Sequence, residues 1–152
     1  MSVERIFVKP LSGGPQVEQD QVAVVAGAGI EGDRYFGRHE EPGQNLTLVE
    51  AEEIESFLTE HKRPYDLSVT SRNLVTRGVR LNDLLGREFH IGEVKLRGFE
   101  LCEPCLELGT VLASPQLVAA RVVKHFVHRA GLRADVLTGG TIARGAKVES
   151  AA

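Results

Sequence analysis

The chain contains no tryptophan, one methionine, two tyrosines and two cysteines. Aromatics enrich the buried centres of protein interfaces, so so thin a supply gives no pointer to a docking face. Two cysteines cannot make a four-cysteine zinc site within one chain. Neither sign of charge dominates: 18 Lys and Arg stand against 21 Asp and Glu, for a net charge of −3. No general attraction to nucleic acid or to an anionic membrane follows, and any anion has to be recognised by a local cluster of arginines. No apolar run approaches the roughly 18 residues that a bilayer crossing needs. The opening stretch MSVERIFVKPLSGG places Glu4, Arg5 and Lys9 where a secretory signal would be apolar. The expectation is a cytoplasmic protein, in which thiols stay reduced and a permanent disulfide is not anticipated.

What is present suits one globular domain over residues 1–152. Hydrophobic residues make up 42% and charged residues 26%, an ordinary balance for a packed fold. Residues 3–9 alternate apolar and polar as a half-buried strand does, and residues 21–27 read as a second strand. Residues 46–62 run from a strand into a helix. Ile54, Phe57 and Leu58 supply its apolar stripe, and Pro64 stops it. Phe89 and Ile91 before Gly92-Glu93, with Val94 and Leu96 after it, predict a hairpin. Residues 115–129 predict the clearest helix, with Ser114 as cap, Pro115 at the first helical position and Gly131 beyond its end. Residues 132–150 read as two short strands around Gly139-Gly140. The total is roughly six to eight short strands and two main helices, with no βαβ rhythm and no repeat. That pattern predicts a β-rich α+β fold: a twisted, barrel-like, mostly antiparallel sheet with the helices packed on it.

Both cysteines lie in GFELCEPCLELG, residues 98–109. Four uses are open. The pair could be small buried hydrophobes. It could be a redox couple, although a thioredoxin-like site needs a helix right after the first cysteine within a βαβ unit, and LELGTVLAS reads as too short and too glycine-broken. With His125 and His128, Cys102 and Cys105 spell C-x2-C…H-x2-H, a zinc-like set of donors; the two histidines could equally form a polar stripe on a helix beside Lys124 and Arg129. Finally, one cysteine could be a reactive thiolate, which requires cations around it; Arg34, Arg38, Arg72, Arg77 and Arg97 sit in glycine-rich or turn-like surroundings.

GIEGDRYFG (29–37), SRNLVTRGVRLNDLLGREFHIGEV (71–94), CEPC (102–105) and RAGLRADVLTGGTIARGAKV (129–148) together resemble the MOSC domains, named for the C-terminal part of molybdenum-cofactor sulfurases. These also occur as small standalone bacterial proteins and in amidoxime-reducing enzymes. The resemblance covers nearly the whole chain in order and implies a β-rich, barrel-like fold. It implies a site for molybdenum cofactor (molybdopterin) or for sulfur chemistry, with Cys105 as the catalytic, metal-ligating or sulfur-carrying residue. Lys9, Asp33, Arg34, Arg72 and Asn73 match positions that hold the pterin and its phosphate, while Asp33 could instead orient Arg34 or cap a turn. The later motifs fall on Arg129, Gly131, Gly139, Gly140 and Ile142. Cys102 is an extra thiol, a bystander or a resolving partner. Gly145-Ala146 stands where relatives carry Gly-Asp, at a position read as a turn. The implied activity is a molybdenum-dependent oxidoreductase reducing N-hydroxylated small molecules, with electrons from a redox partner protein. The first alternative is a sulfur carrier holding a persulfide on Cys105, loaded by a desulfurase. The second is a zinc-stabilised module built on Cys102, Cys105, His125 and His128.

Overall fold

The computed structural model describes residues 1–38, 42–104 and 106–151; Cys105 lies outside the described residues, as do the side chains of Leu106 and Glu107. Eleven strands and three α-helices are found among the described residues. In chain order they are β1 (Ser2–Val8), β2 (Val17–Gln19), β3 (Gln21–Val25), β4 (Gly29–Ile30), β5 (Leu46–Glu50), α1 (Ala51–Glu60), β6 (Leu74–Arg77), β7 (Glu88–Ile91), β8 (Val94–Leu101), α2 (Leu106–Leu112), α3 (Ala119–Phe126), β9 (Leu132–Thr138), β10 (Gly140–Ala143) and β11 (Val148–Ser150), with a 3-10 turn at Leu81–Leu84.

Eight strands form one sheet in the order β11-β7-β8-β9-β5-β6-β1-β2, and β10-β3-β4 form a second. Every pairing is antiparallel except β5 with β6, which are joined through α1 and run parallel. The large sheet curls strongly. Ser2 bridges Lys147, and Val3 N–H donates to Ala146 O, so the start of β1 meets the segment leading into β11 without completing a ladder. The sheet is therefore barrel-like in curvature but not closed. Its concave side holds a continuous apolar core that includes Ile6, Leu48, Leu74, Phe89, Ile91, Leu96 and Leu132. Each such side chain contributes roughly 1.5–3 kcal/mol by leaving water. The stripe of α1 works as its spacing predicts: Ile54 and Leu58 pack on Phe7, Val49 and Val75, across the other face of the sheet. No helix among the described residues is long and apolar enough to cross a membrane.

Two expectations about helices need correction. Residues after the second cysteine do form a helix, α2, despite Gly109. A Cβ at Gly109 would lie 2.8 Å from Ala119 O and 2.9 Å from Val123 Cγ2, so the glycine is what lets α2 lie tightly against α3. No thioredoxin-like framework results, because β8 and β9 around these helices pair antiparallel. The helix expected over 115–129 is shorter, Ala119–Phe126. Ser114 and Leu117 exchange backbone hydrogen bonds of 2.9 and 3.0 Å around Pro115. Proline suits the second position of a tight turn as well as it suits a helix start, and here the turn wins. Residues 132–150, expected as two strands, form three, β9, β10 and β11, and the turn expected at Gly145-Ala146 lies at Arg144 and Gly145.

Gly131 joins the helical segment to β9. Its φ is +111°, and an added Cβ would sit 2.0 Å from Leu48 O on the adjacent strand. Gly131→Ala should therefore cost roughly 3 kcal/mol, through backbone strain and forced separation of β5 from β9. A fall in the urea midpoint with an unchanged slope checks this; a midpoint within experimental error of the wild type would contradict the packing described.

Candidate functional site

The glycine-rich loop between β4 and β5 is held by a buried carboxylate. Asp33, 7% exposed, accepts the Lys9 N–H at 2.9 Å, the Tyr35 N–H at 3.3 Å and the Asn73 Nδ2–H at 3.4 Å. Arg34 N–H in turn donates to Lys9 O at 3.0 Å. These bonds dock the loop on the end of β1 and hold the Arg34 guanidinium 3.7 Å from Asp33 and 4.3 Å from the face of Tyr35. Asp33 thus acts here as the loop's anchor, and Lys9 takes part through its backbone.

Asn73 forms the second anchor. Its Nδ2 donates to Phe7 O at 3.1 Å, and its Oδ1 accepts from Thr47 N–H and Thr47 Oγ1 at 3.1 and 3.2 Å. Both ends of the amide are engaged within the protein. Beside it, Arg72 Nε donates to Ala130 O at 3.0 Å, and this bond aims the rest of its guanidinium outward. Arg133 projects from β9, where Leu132 and Ala134 on either side are buried.

These elements enclose a cleft of about 340 Å³, lined by Arg34, Arg38, Arg72 and Arg133, by Tyr35, Thr47 and Asn73, and by Cys102 and Glu103. Four guanidinium groups and one carboxylate line the cleft among the described residues, with Asp33 3.7 Å from Arg34 and Glu100 3.6 Å from Arg133 beside it, and the balance favours an anion. Of the positions expected from sequence, the structure brings together Arg34, Arg72, Asn73 and Cys102, with Asp33 and the Lys9 backbone directly behind them. Arg38 joins them. Arg77 does not: it pairs with Glu4 and Glu55 at 2.5 and 2.7 Å. Arg97 is exposed on β8 outside the cleft. Arg129 sits 3.5 Å from Glu53, Gly139 and Gly140 pack near Val24 and Glu93, and Ile142 belongs to the core. Arg133 escaped the sequence reading, although strand alternation around it points it away from the core.

Cys102 lies in the cleft wall but is 4% exposed, packed with Phe57, Leu108, Leu112 and Phe126. Burial pushes its thiol above the usual range, and the nearby Arg72 and Arg133 charges offset this only in part. The proposed zinc quartet is divided. Cys102 is packed into the cleft wall, whereas His125 pairs with Glu60 at 3.0 Å in a separate pocket. His128, with a positive φ of 60°, pairs with Glu103 at 2.9 Å. The physical reason is the short α3, which ends at Phe126 and turns His128 away from His125.

A family model described as MOSC domain matches residues 36–149. Among solved structures, the fold is similar to the YUAD protein from Bacillus subtilis, with a TM-score of 0.83 at 20% identity over 98% of this chain and 94% of that one. It is also similar to YiiM from Geobacillus stearothermophilus, with a TM-score of 0.72 at 20% identity over 99% and 75% of the two chains. YiiM from Escherichia coli gives 0.70 at 17% identity over 100% and 70%. At these identities the likeness is one of fold. Among curated proteins no sequence matches significantly.

The burial of Cys102 has a direct readout. In a Cys105→Ser variant, Cys102 is the remaining thiol. Its raised pKa lowers the thiolate fraction at any given pH, and its packing blocks access, so folded protein near pH 8 should react with iodoacetamide on the order of 100-fold more slowly than urea-unfolded protein. Equal rates would show the thiol to be open.

Proposed function

This chain belongs to the MOSC domain family, and from that membership together with the cationic cleft we propose that it binds molybdenum cofactor there, with Cys105 as the thiolate ligand. The observation that carries the reading is the convergence of Arg34, Arg38, Arg72 and Arg133 on one cleft whose wall includes the first two residues of the C-x-x-C segment. The residues fit the group. A pterin phosphate needs planar, paired donors, which guanidinium groups supply, and a soft thiolate suits molybdenum. Arg34, Arg72 and Arg133 would hold the phosphate end. Asp33 keeps Arg34 in place through the loop anchor, and Asn73 fixes the cleft floor, since its amide is already committed to Phe7 and Thr47. When bound, the cofactor supplies a two-electron redox couple.

The chain's own residues supply positioning and a proton site. Glu103 at the cleft wall is tied to His128 Nδ1 at 2.9 Å, so the pair can take up or release a proton beside a bound substrate. Tyr35 and Arg38 form an exposed rim that a small N-hydroxylated substrate would pass. Electrons would come from a separate redox protein.

The test is metal analysis after expression in a host that makes the cofactor. Wild-type protein should carry molybdenum, Cys105→Ser should carry none, and Cys102→Ala should retain it. Arg72→Ala and Arg133→Ala should each weaken retention about 10- to 100-fold, the scale of one lost charge-assisted contact. Wild-type protein without molybdenum would overturn the proposal. If it instead gains one sulfur atom on Cys105 from a desulfurase and cysteine, and loses it to a thiol, the chain is a sulfur carrier.

A further inference from the structure

A second pocket, of about 470 Å³, opens where two helices end. Glu60 is the last residue of α1 and His61 follows it; His125 lies in the last turn of α3. Phe57 holds the rings in place, with centroids 4.8 Å from His61, 5.3 Å from His125 and 5.1 Å from Phe126. Glu60 Oε2 is 3.0 Å from His125 Nδ1 and 4.0 Å from His61 Nε2. One donor atom from each of the three residues lies within 4.8 Å of the others.

His125 is not a satisfied core histidine. Its side chain is 9% exposed, and its Nε2 is buried without a hydrogen-bond partner among the described residues. The other nitrogen, Nδ1, faces Glu60 at 3.0 Å and is the donor an ion in this group would take; Nε2 is not part of the donor set.

We propose that Glu60, His61 and His125 form a binding site for a divalent ion of the zinc class, independent of the cationic cleft. Two imidazoles and a carboxylate are donors that such ions accept at about 2.0–2.2 Å, which places donor atoms roughly 3.3–3.5 Å apart in a tetrahedron. Two of the three observed spacings, 3.0 and 4.0 Å, straddle that value, and the third is within 4.8 Å. Glu60, with its side chain 60% exposed, has room to swing and close the difference. Both helices direct their carbonyl ends toward this point, which favours a cation. Arg121, Lys124 and Arg129 also line the pocket and oppose one; Arg129 is partly neutralised by Glu53 at 3.5 Å. That opposition selects against magnesium or calcium, which depend on charge and many oxygens, and leaves ions that gain from bonding to nitrogen. Inorganic phosphate, which Arg121 and Lys124 would attract, is the competing ligand that the experiment separates from the ion. Three protein ligands leave a coordination position open toward the pocket for water or a small molecule.

The experiment titrates the chelator-stripped full chain with Zn²⁺ and with Co²⁺. One equivalent should bind and raise Tm. The cobalt complex should show visible d–d bands without the near-ultraviolet thiolate band that cysteine ligation produces. Glu60→Gln and His61→Ala, both outside the buried core, should each weaken binding at least about tenfold, the loss that even an outer-shell partner can carry. No saturable uptake would overturn the site, as would uptake unaltered in both variants, a thiolate-type cobalt spectrum, or stabilisation by inorganic phosphate in place of metal.

Discussion

One buried amide joins three parts of the molecule. Asn73 binds Phe7 O on β1, Thr47 on β5 and Asp33 in the glycine-rich loop, all within 3.1–3.4 Å. The parallel pair β5 and β6 depends on its register, and the loop bearing Arg34 depends on Asp33, whose carboxylate shares that amide. Such a network is stable only while complete. Removing one member leaves buried partners without hydrogen bonds, at about 1–3 kcal/mol each. The cleft is therefore anchored by groups that do not need to touch whatever enters it.

This arrangement separates two tasks that resemblance to relatives merges. Charged guanidinium groups face the cleft, and neutral or carboxylate groups behind them set their positions. Arg72 is held through Nε by Ala130 O, Arg34 by Asp33 and the Tyr35 face. Each guanidinium thus keeps donors directed into the cleft. Asp33 and Glu100 offset two of the four like charges around the cleft, and strands and anchored loops fix the backbones that carry them. An entering anion relieves the remaining repulsion and gains preset hydrogen bonds.

Much of the frame was legible in local pattern. The hairpin at Gly92-Glu93 and the α1 stripe of Ile54, Phe57 and Leu58 depend on near neighbours, and periodicity reads near neighbours well. The errors arise where distant packing decides. Gly109 looks like a helix breaker until Ala119 and Val123 are seen pressed against it. Pro115 suits a helix start or a turn, and only the Ser114–Leu117 pairing chooses. His125 and His128 share a spacing that suggests one metal, but α3 ends between them. Arg133 belongs to no motif of its own, and only the buried-exposed-buried alternation of Leu132, Arg133 and Ala134 marks it as outward-facing. The pairing of His125 with Glu60 and His61 spans too much chain for any spacing rule to reach.

Cys102 serves packing before chemistry. Cys102 belongs to the apolar cluster that joins α2, α3 and Phe57, and burial keeps its thiol protonated. Acting as a nucleophile or ligand would require it to leave that packing and ionise. Its sulfur is worth about as much to the cluster as any small buried hydrophobe, roughly 1 kcal/mol or more, and ionisation near Arg72 and Arg133 recovers part of that only when the sulfur turns into the cleft. Such a thiol can answer a reaction next to it, closing on a neighbouring sulfur once the local packing loosens, but it is poorly placed to begin one. Cys102 therefore shapes the wall of this cleft and is no ready starting point for sulfur chemistry in it.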